Sequence, residues 1–191
     1  LDILKQELKK KVKINRLLIC LLIITLLFVT GCGDEVIIND ENSGGIFKGA
    51  SAVSSDFNYN GSGMLVCTQA AVAEGDMEVD INYTISYTDG IINKLTSVQK
   101  VSSSSNSSLS IYEGAYKNIA SNYKNLDGYT TEVTRDSGSV SYVSVIDYDK
   151  IDVDEIIAIE GAEDNIFDNG KASLKLWLDL AGSVGTTCEE A

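Results

Sequence analysis

Twelve consecutive residues, Met77 to Thr88, alternate apolar and polar side chains without a break and run directly into Asp89-Gly90. A period of two sends successive side chains to opposite sides of a strand, so one face of this segment is buried and the other wet. Asp-Gly readily supplies the two positive φ angles of a tight hairpin turn, and Ile91 to about Val101 returns as the partner strand. Met64 to Val72 reads as a further strand. Tyr129 to Arg135 and Val140 to Tyr148 are two more, separated by Asp136-Ser137-Gly138-Ser139. Val143, Val145 and Ile146 put apolar groups on both faces of the last segment, which makes it central. The count is about five antiparallel strands.

A sheet with one apolar face needs a cover. Leu109, Tyr112, Ala115, Tyr116, Ile119, Ala120 and Tyr123 recur at helical spacing, with Ser110 and Glu113 as a capping box and Asp127-Gly128 as the stop. Tyrosines at such spacing cover a sheet while their hydroxyls reach toward water, a simpler role than a sugar or peptide platform. Ser102 to Ser108 reads as a polar connector ahead of that helix. Asp152 to Ile159 is a short helix with Asp152 and Glu155 as a capping pair and Gly161 as its end. Leu174, Trp177, Leu178 and Ala181 mark a final helix ending at Gly182, with the lone tryptophan as an apolar anchor. The fold class is α+β: an antiparallel sheet of about five strands with helices packed on one face. The order is three strands, a helix, two strands and two helices.

The N-terminal region has a different logic. Lys9, Lys10, Lys11, Lys13 and Arg16 precede thirteen mostly apolar residues, Leu17 to Val29. That pattern fits a secretory signal, and the apolar run is too short to span a bilayer. Val29-Thr30-Gly31-Cys32 resembles a bacterial lipobox, which implies diacylglycerol on the Cys32 thiol, cleavage just before it, and an outward-facing protein anchored to the membrane through lipid. Leu1 in place of Met points to an unusual start codon or a truncated sequence. The expected organisation is a signal at 1–31, a flexible acidic tether at 32–63 and one α+β domain at 64–191. The tether is rich in Gly, Ser, Asn and Asp, and about thirty such residues span on the order of 30 Å.

Removing residues 1–31 takes six of fifteen basic and two of twenty-eight acidic residues, leaving nine against twenty-six and a net charge of −17. Phosphate binding depends on Lys and Arg, so this charge excludes a nucleic-acid partner. Of four cysteines, Cys20 leaves with the signal and Cys32 takes the lipid. Cys67 and Cys188 remain, and outside the cytoplasm two such thiols pair.

The chain has no histidine, which removes Ser-His-Asp and Cys-His catalysis and histidine-ligated metals together. Nucleotide-binding glycine motifs are absent, and no cofactor is called for. The densest acidic cluster is Asp147, Asp149, Asp152, Asp154 and Glu155. Its spacing departs from a calcium loop at Ile151 and Asp152, and acidic residues at a helix start already complement its N–H groups.

Ile85-Ser86-Tyr87-Thr88-Asp89-Gly90, followed by Asn122-Tyr123-Lys124-Asn125-Leu126-Asp127-Gly128-Tyr129-Thr130, resembles the small YehR-type bacterial lipoproteins. Asp147-Tyr148-Asp149-Lys150 and Ala172-Ser173-Leu174 fit the same pattern, so the likeness covers most of residues 64–188. It implies a lipid-anchored α+β domain and carries over no catalytic or ligand-binding residue. The functional expectation is a non-enzymatic module that binds a ligand or an envelope protein. The alternative is a carboxylate-dependent hydrolase acting on envelope glycan or peptide.

Overall fold

The computed structural model describes residues 51–160 and 166–191. Cys32, the signal, most of the tether and Gly161 lie outside the described residues. Strands β1 (Ser62–Glu74), β2 (Met77–Thr88) and β3 (Ile91–Ser103) lead into helix α1 (Asn106–Tyr123). Strands β4 (Tyr129–Arg135) and β5 (Ser139–Asp147), helix α2 (Val153–Glu160), the short strands β6 (Phe167–Asp168) and β7 (Lys171–Ala172), helix α3 (Leu174–Ser183) and β8 (Thr186–Glu190) complete the chain. The main sheet has six antiparallel strands in the order β4-β5-β3-β2-β1-β8, and β6-β7 forms a separate hairpin. The architecture is α+β, with β5 inside the sheet as its two-sided apolar pattern requires.

Alternation sorts the sheet into a covered and an open face. Leu65, Cys67, Ile81, Ile85, Tyr87, Leu95, Val101, Val140 and Tyr142 are buried on the face that carries the helices. Met64, Val66 and Val98, on the opposite face, are exposed. Strand β3 must bury both Ile92 and Leu95, three positions apart, which strict alternation forbids. A bulge resolves the conflict: Ser86 faces Lys94 and Tyr87 faces Ile92, leaving Asn93 as the extra residue. The Asn93 carbonyl accepts from the Tyr148 backbone N–H at 2.8 Å, joining the bulge to the end of β5.

Several elements differ from the sequence reading. Strand β8 adds a sixth strand, because Thr186-Thr-Cys-Glu-Glu190 has no apolar run to announce it and pairs through its backbone with β1. Residues 51–61 lie against the domain: the Ala52 N–H donates to the Leu178 carbonyl at 3.0 Å, and the Ala52 carbonyl accepts from the Cys188 N–H at 2.8 Å. Phe57 meets Tyr59 edge to face at 5.0 Å between ring centres. The serine run is also structured. Ser105 is the N-cap of α1, its Oγ accepting from the Ser108 N–H at 3.2 Å, so the helix begins ahead of the expected Ser110 and Glu113 box. Ser103 Oγ, Ser104 Oγ and the Ser105 N–H all donate to Asp76, which fastens the β1–β2 turn to the helix start.

Helix α1 ends at Tyr123, before Asp127-Gly128, which shapes the entry to β4. Gly128 has φ +77°, and a Cβ there would stand 2.6 Å from the Asp147 carbonyl, so no other residue fits. Helix α2 opens as expected on Asp152, whose Oδ1 accepts from the Asp154 N–H at 2.9 Å. Helix α3 buries Leu174, Trp177, Leu178 and Ala181, and Trp177 packs edge to face on Tyr83 at 5.1 Å.

Candidate functional site

Two polar features interrupt the covered face. The first is a layer of tyrosines between α1 and the β4–β5 end of the sheet. Tyr116 stacks on Tyr142 with ring centres 5.2 Å apart, and Tyr123 stacks on Tyr129 at 4.3 Å. The stripe read on α1 is therefore core, with Tyr116 and Tyr123 buried. Burial holds the Tyr116, Tyr123 and Tyr129 hydroxyls far above the ordinary phenol range, so they remain protonated donors. Tyr123 Oη donates to Glu160 Oε1 at 2.9 Å and ties the end of α2 to the end of α1. Glu160 is exposed as a residue, but its carboxyl end lies among the tyrosines; burial raises its pKa, and the Tyr123 hydrogen bond partly offsets the rise. The Tyr142 hydroxyl is buried near those of Tyr129 and Ser144, yet it completes a hydrogen bond of ordinary geometry with neither.

The second feature is a partly open cleft of about 390 Å³ at the other end of β3. Three short segments build it, each placed by local chemistry. The β2–β3 turn supplies Asp89, held at φ +50° beside Gly90 at φ +75°. The stretch after β5 supplies Tyr148 and Asp149, positioned by the bond from the Tyr148 N–H to the Asn93 bulge. The β6–β7 hairpin supplies Phe167 and Lys171 around an Asn169-Gly170 turn in which both residues have positive φ. The hairpin is locked to the sheet by Leu174 N–H donating to the Gly90 carbonyl at 2.9 Å. Tyr148 and Phe167 meet edge to face at 6.0 Å, and Ile92, Val153 and Ala172 form the apolar wall. Burial pushes the Tyr148 hydroxyl well above the phenol range, with the Glu160 charge acting in the same direction.

The structure joins two of the residues singled out from sequence. Cys67 and Cys188 face each other on neighbouring strands β1 and β8 and form a disulfide with a Cα–Cα distance of 4.0 Å. The acidic cluster is used piecemeal. Asp147 pairs with Lys150, which holds its carboxyl below the ordinary range, and Asp152 caps α2. Among the described residues no three carboxylate or thiol side chains converge as metal ligands, and no helix is long and apolar enough to cross a membrane.

Sequence reading missed the cleft. Asn169-Gly170, the strongest short hairpin signal, was present in Asp168-Asn169-Gly170-Lys171, but its flanking strands are two residues each and show no periodicity. The Asn93 bulge was legible only as the conflict between Ile92 and Leu95.

No family model matches the chain, and no curated protein matches it. Among solved structures, the NMR structure of the Escherichia coli YehR protein aligns at 15% identity over 68% of this chain and 91% of that one, with a TM-score of 0.48. The NMR structure of a protein from Streptococcus pneumoniae TIGR4 aligns at 15% identity over 83% of this chain and all of that one, with a TM-score of 0.44.

Proposed function

We propose that this chain is an outward-facing lipoprotein of the YehR type, anchored by diacylglycerol on Cys32, whose domain binds a small ligand or an envelope protein without transforming it. The observation that carries the binding reading is the cleft of about 390 Å³, at the small end of the range of roughly 300–1,000 Å³ that ligand pockets occupy. Its mixture of apolar wall, aromatic edge and a few charged groups suits recognition. The hydrolase reading calls for two carboxyls in one site, one of them held protonated. Glu160, the carboxyl that burial raises, is bonded to a tyrosine instead.

Mass spectrometry of the membrane fraction tests the anchor. Cys32→Ala abolishes lipid labelling and releases the protein; unchanged labelling contradicts it. Incubating the full chain with envelope glycan and peptide tests the absence of catalysis. No product is expected, and a product whose formation stops in Asp89→Asn or Asp149→Asn would establish the hydrolase instead.

A further inference from the structure

The cleft holds charges of both signs contributed by three different segments: Asp89 from the β2–β3 turn, Asp149 from the end of β5 and Lys171 from the β6–β7 hairpin. Among the described residues none of the three forms a salt bridge, whereas Lys117, Arg135, Lys150 and Lys175 each pair with a carboxylate. All three side chains are exposed at the rim of the cleft, so they stay largely hydrated when it fills, and the match of charges decides which ligand is preferred. A simple amine would leave Lys171 uncompensated, and a simple acid would leave both aspartates so. Two carboxylates and one ammonium are matched by a molecule with two ammonium groups and one carboxylate.

We propose that the cleft between the β2–β3 turn, the end of β5 and the β6–β7 hairpin binds a basic amino acid, free or within a dipeptide, with its ammonium groups toward Asp89 and Asp149 and its carboxylate toward Lys171. This rests on the binding reading above and gives it a ligand class. The ring of Tyr148 offers an aromatic surface for a cationic group, and Val153 and Phe167 line the route of a methylene chain. The volume suits one such molecule and not an extended polymer. The strongly acidic domain would also draw a cationic ligand toward it.

Titration calorimetry of the full chain in detergent tests this with four probes: L-lysine, glycyl-L-lysine, 1,5-diaminopentane and N,N′-diacetylchitobiose. Saturable binding of lysine and glycyl-lysine is expected, with the diamine weaker for want of a carboxylate. Asp89→Asn suits the positive φ at that turn, and it and Asp149→Asn should each weaken lysine by about two- to fivefold. Lys171→Met should weaken lysine but bind the diamine as well as or better than the wild type, since it removes a like charge. Circular dichroism of each variant confirms that the fold is retained, and charge reversal at Asp149 by Asp149→Lys supplies a second surface variant. The proposal fails if lysine and glycyl-lysine do not bind, or bind equally well to all the variants. If the disaccharide binds and those same substitutions abolish it, the ligand class is wrong while the binding reading stands. If no probe binds and a tagged full chain recovers nothing from intact envelope, both fall.

Discussion

The two ends of the covered sheet face are held by different chemistry. At the β1–β8 end, Cys67 and Cys188 join the first and last strands covalently, Trp177 and Leu178 of α3 pack above them, and Ala52 is pinned between helix and strand by its backbone. At the β4–β5 end, α1 is seated on stacked tyrosines whose hydroxyls need partners: Tyr123 finds Glu160, while Tyr142 finds none of ordinary geometry. Aliphatic burial and a disulfide have nothing to titrate, and the strands at that end contribute two phenols, Tyr83 beneath Trp177 and Tyr87. A layer of phenols carries the same apolar area at the cost of making that half of the fold sensitive to alkali. The cleft lies where the two regimes meet, with Tyr148 on one side and the hairpin leading into α3 on the other.

The largest effects belong to the covalent end. Cys67→Ser opens a link between positions 121 residues apart and should lower stability by about 2–5 kcal/mol in denaturant unfolding. Leu178→Ala, fully buried in α3, should cost a similar amount, about 2–5 kcal/mol. Much smaller losses in both would mean that the tyrosine end holds the domain by itself. Asp152→Ala, which removes the cap of α2, should cost about 0.5–2 kcal/mol with or without millimolar calcium. A saturable, calcium-dependent rise in unfolding temperature would show that the acidic turn binds the ion. The smallest effect is expected at Tyr142→Phe. It removes a buried hydroxyl that lacks a hydrogen bond, so stability should hold or rise slightly, and a loss of more than about 1 kcal/mol would reveal a partner that the geometry does not show.

Glu160 refines the contrast on the acid side. Its raised pKa means that the folded chain keeps a proton which the unfolded chain has lost just above the ordinary carboxylate range. Stability from this group is therefore full below that range and declines as pH rises through the folded value. Glu160→Gln should flatten the dependence of unfolding on pH in that window. A variant with the wild-type profile would place the titration elsewhere.

The strands and helices with clear periodicity were legible because their side chains alone dictate them. Met77–Thr88, Tyr129–Arg135 and the buried stripe of Leu174, Trp177, Leu178 and Ala181 stand where alternation or helical spacing put them. Pairing of Cys67 with Cys188 was expected from the compartment that a resemblance of Val29-Thr30-Gly31-Cys32 to a lipobox implies, and the structure adds the strand register that brings them face to face. What stayed hidden depends on tertiary partners. Strand β8 is specified by the backbone edge of β1, and α1 starts at Ser105 because Asp76, far back in the chain, gathers the serine run. The cleft was least legible of all, since Asp89, Asp149 and Lys171 come from three turns with no common motif.

A tyrosinate absorbance titration of the native full chain, followed together with far-ultraviolet circular dichroism, tests the contrast most directly. Of nine tyrosines, seven have hydroxyls raised above the ordinary value by burial: Tyr83, Tyr87, Tyr116, Tyr123, Tyr129, Tyr142 and Tyr148. Tyr83, beneath Trp177, is pushed up to about 12. Above the ordinary phenol value of about 10, the unfolded chain loses protons that the folded chain keeps, so stability is full below that pH and falls as pH rises toward the folded values. The expected result is a small early absorbance rise with the fold intact, then a large rise coincident with loss of the dichroism signal. Ionisation of all nine near pH 10 with the dichroism unchanged would contradict the buried tyrosine layer and the division of the fold built on it.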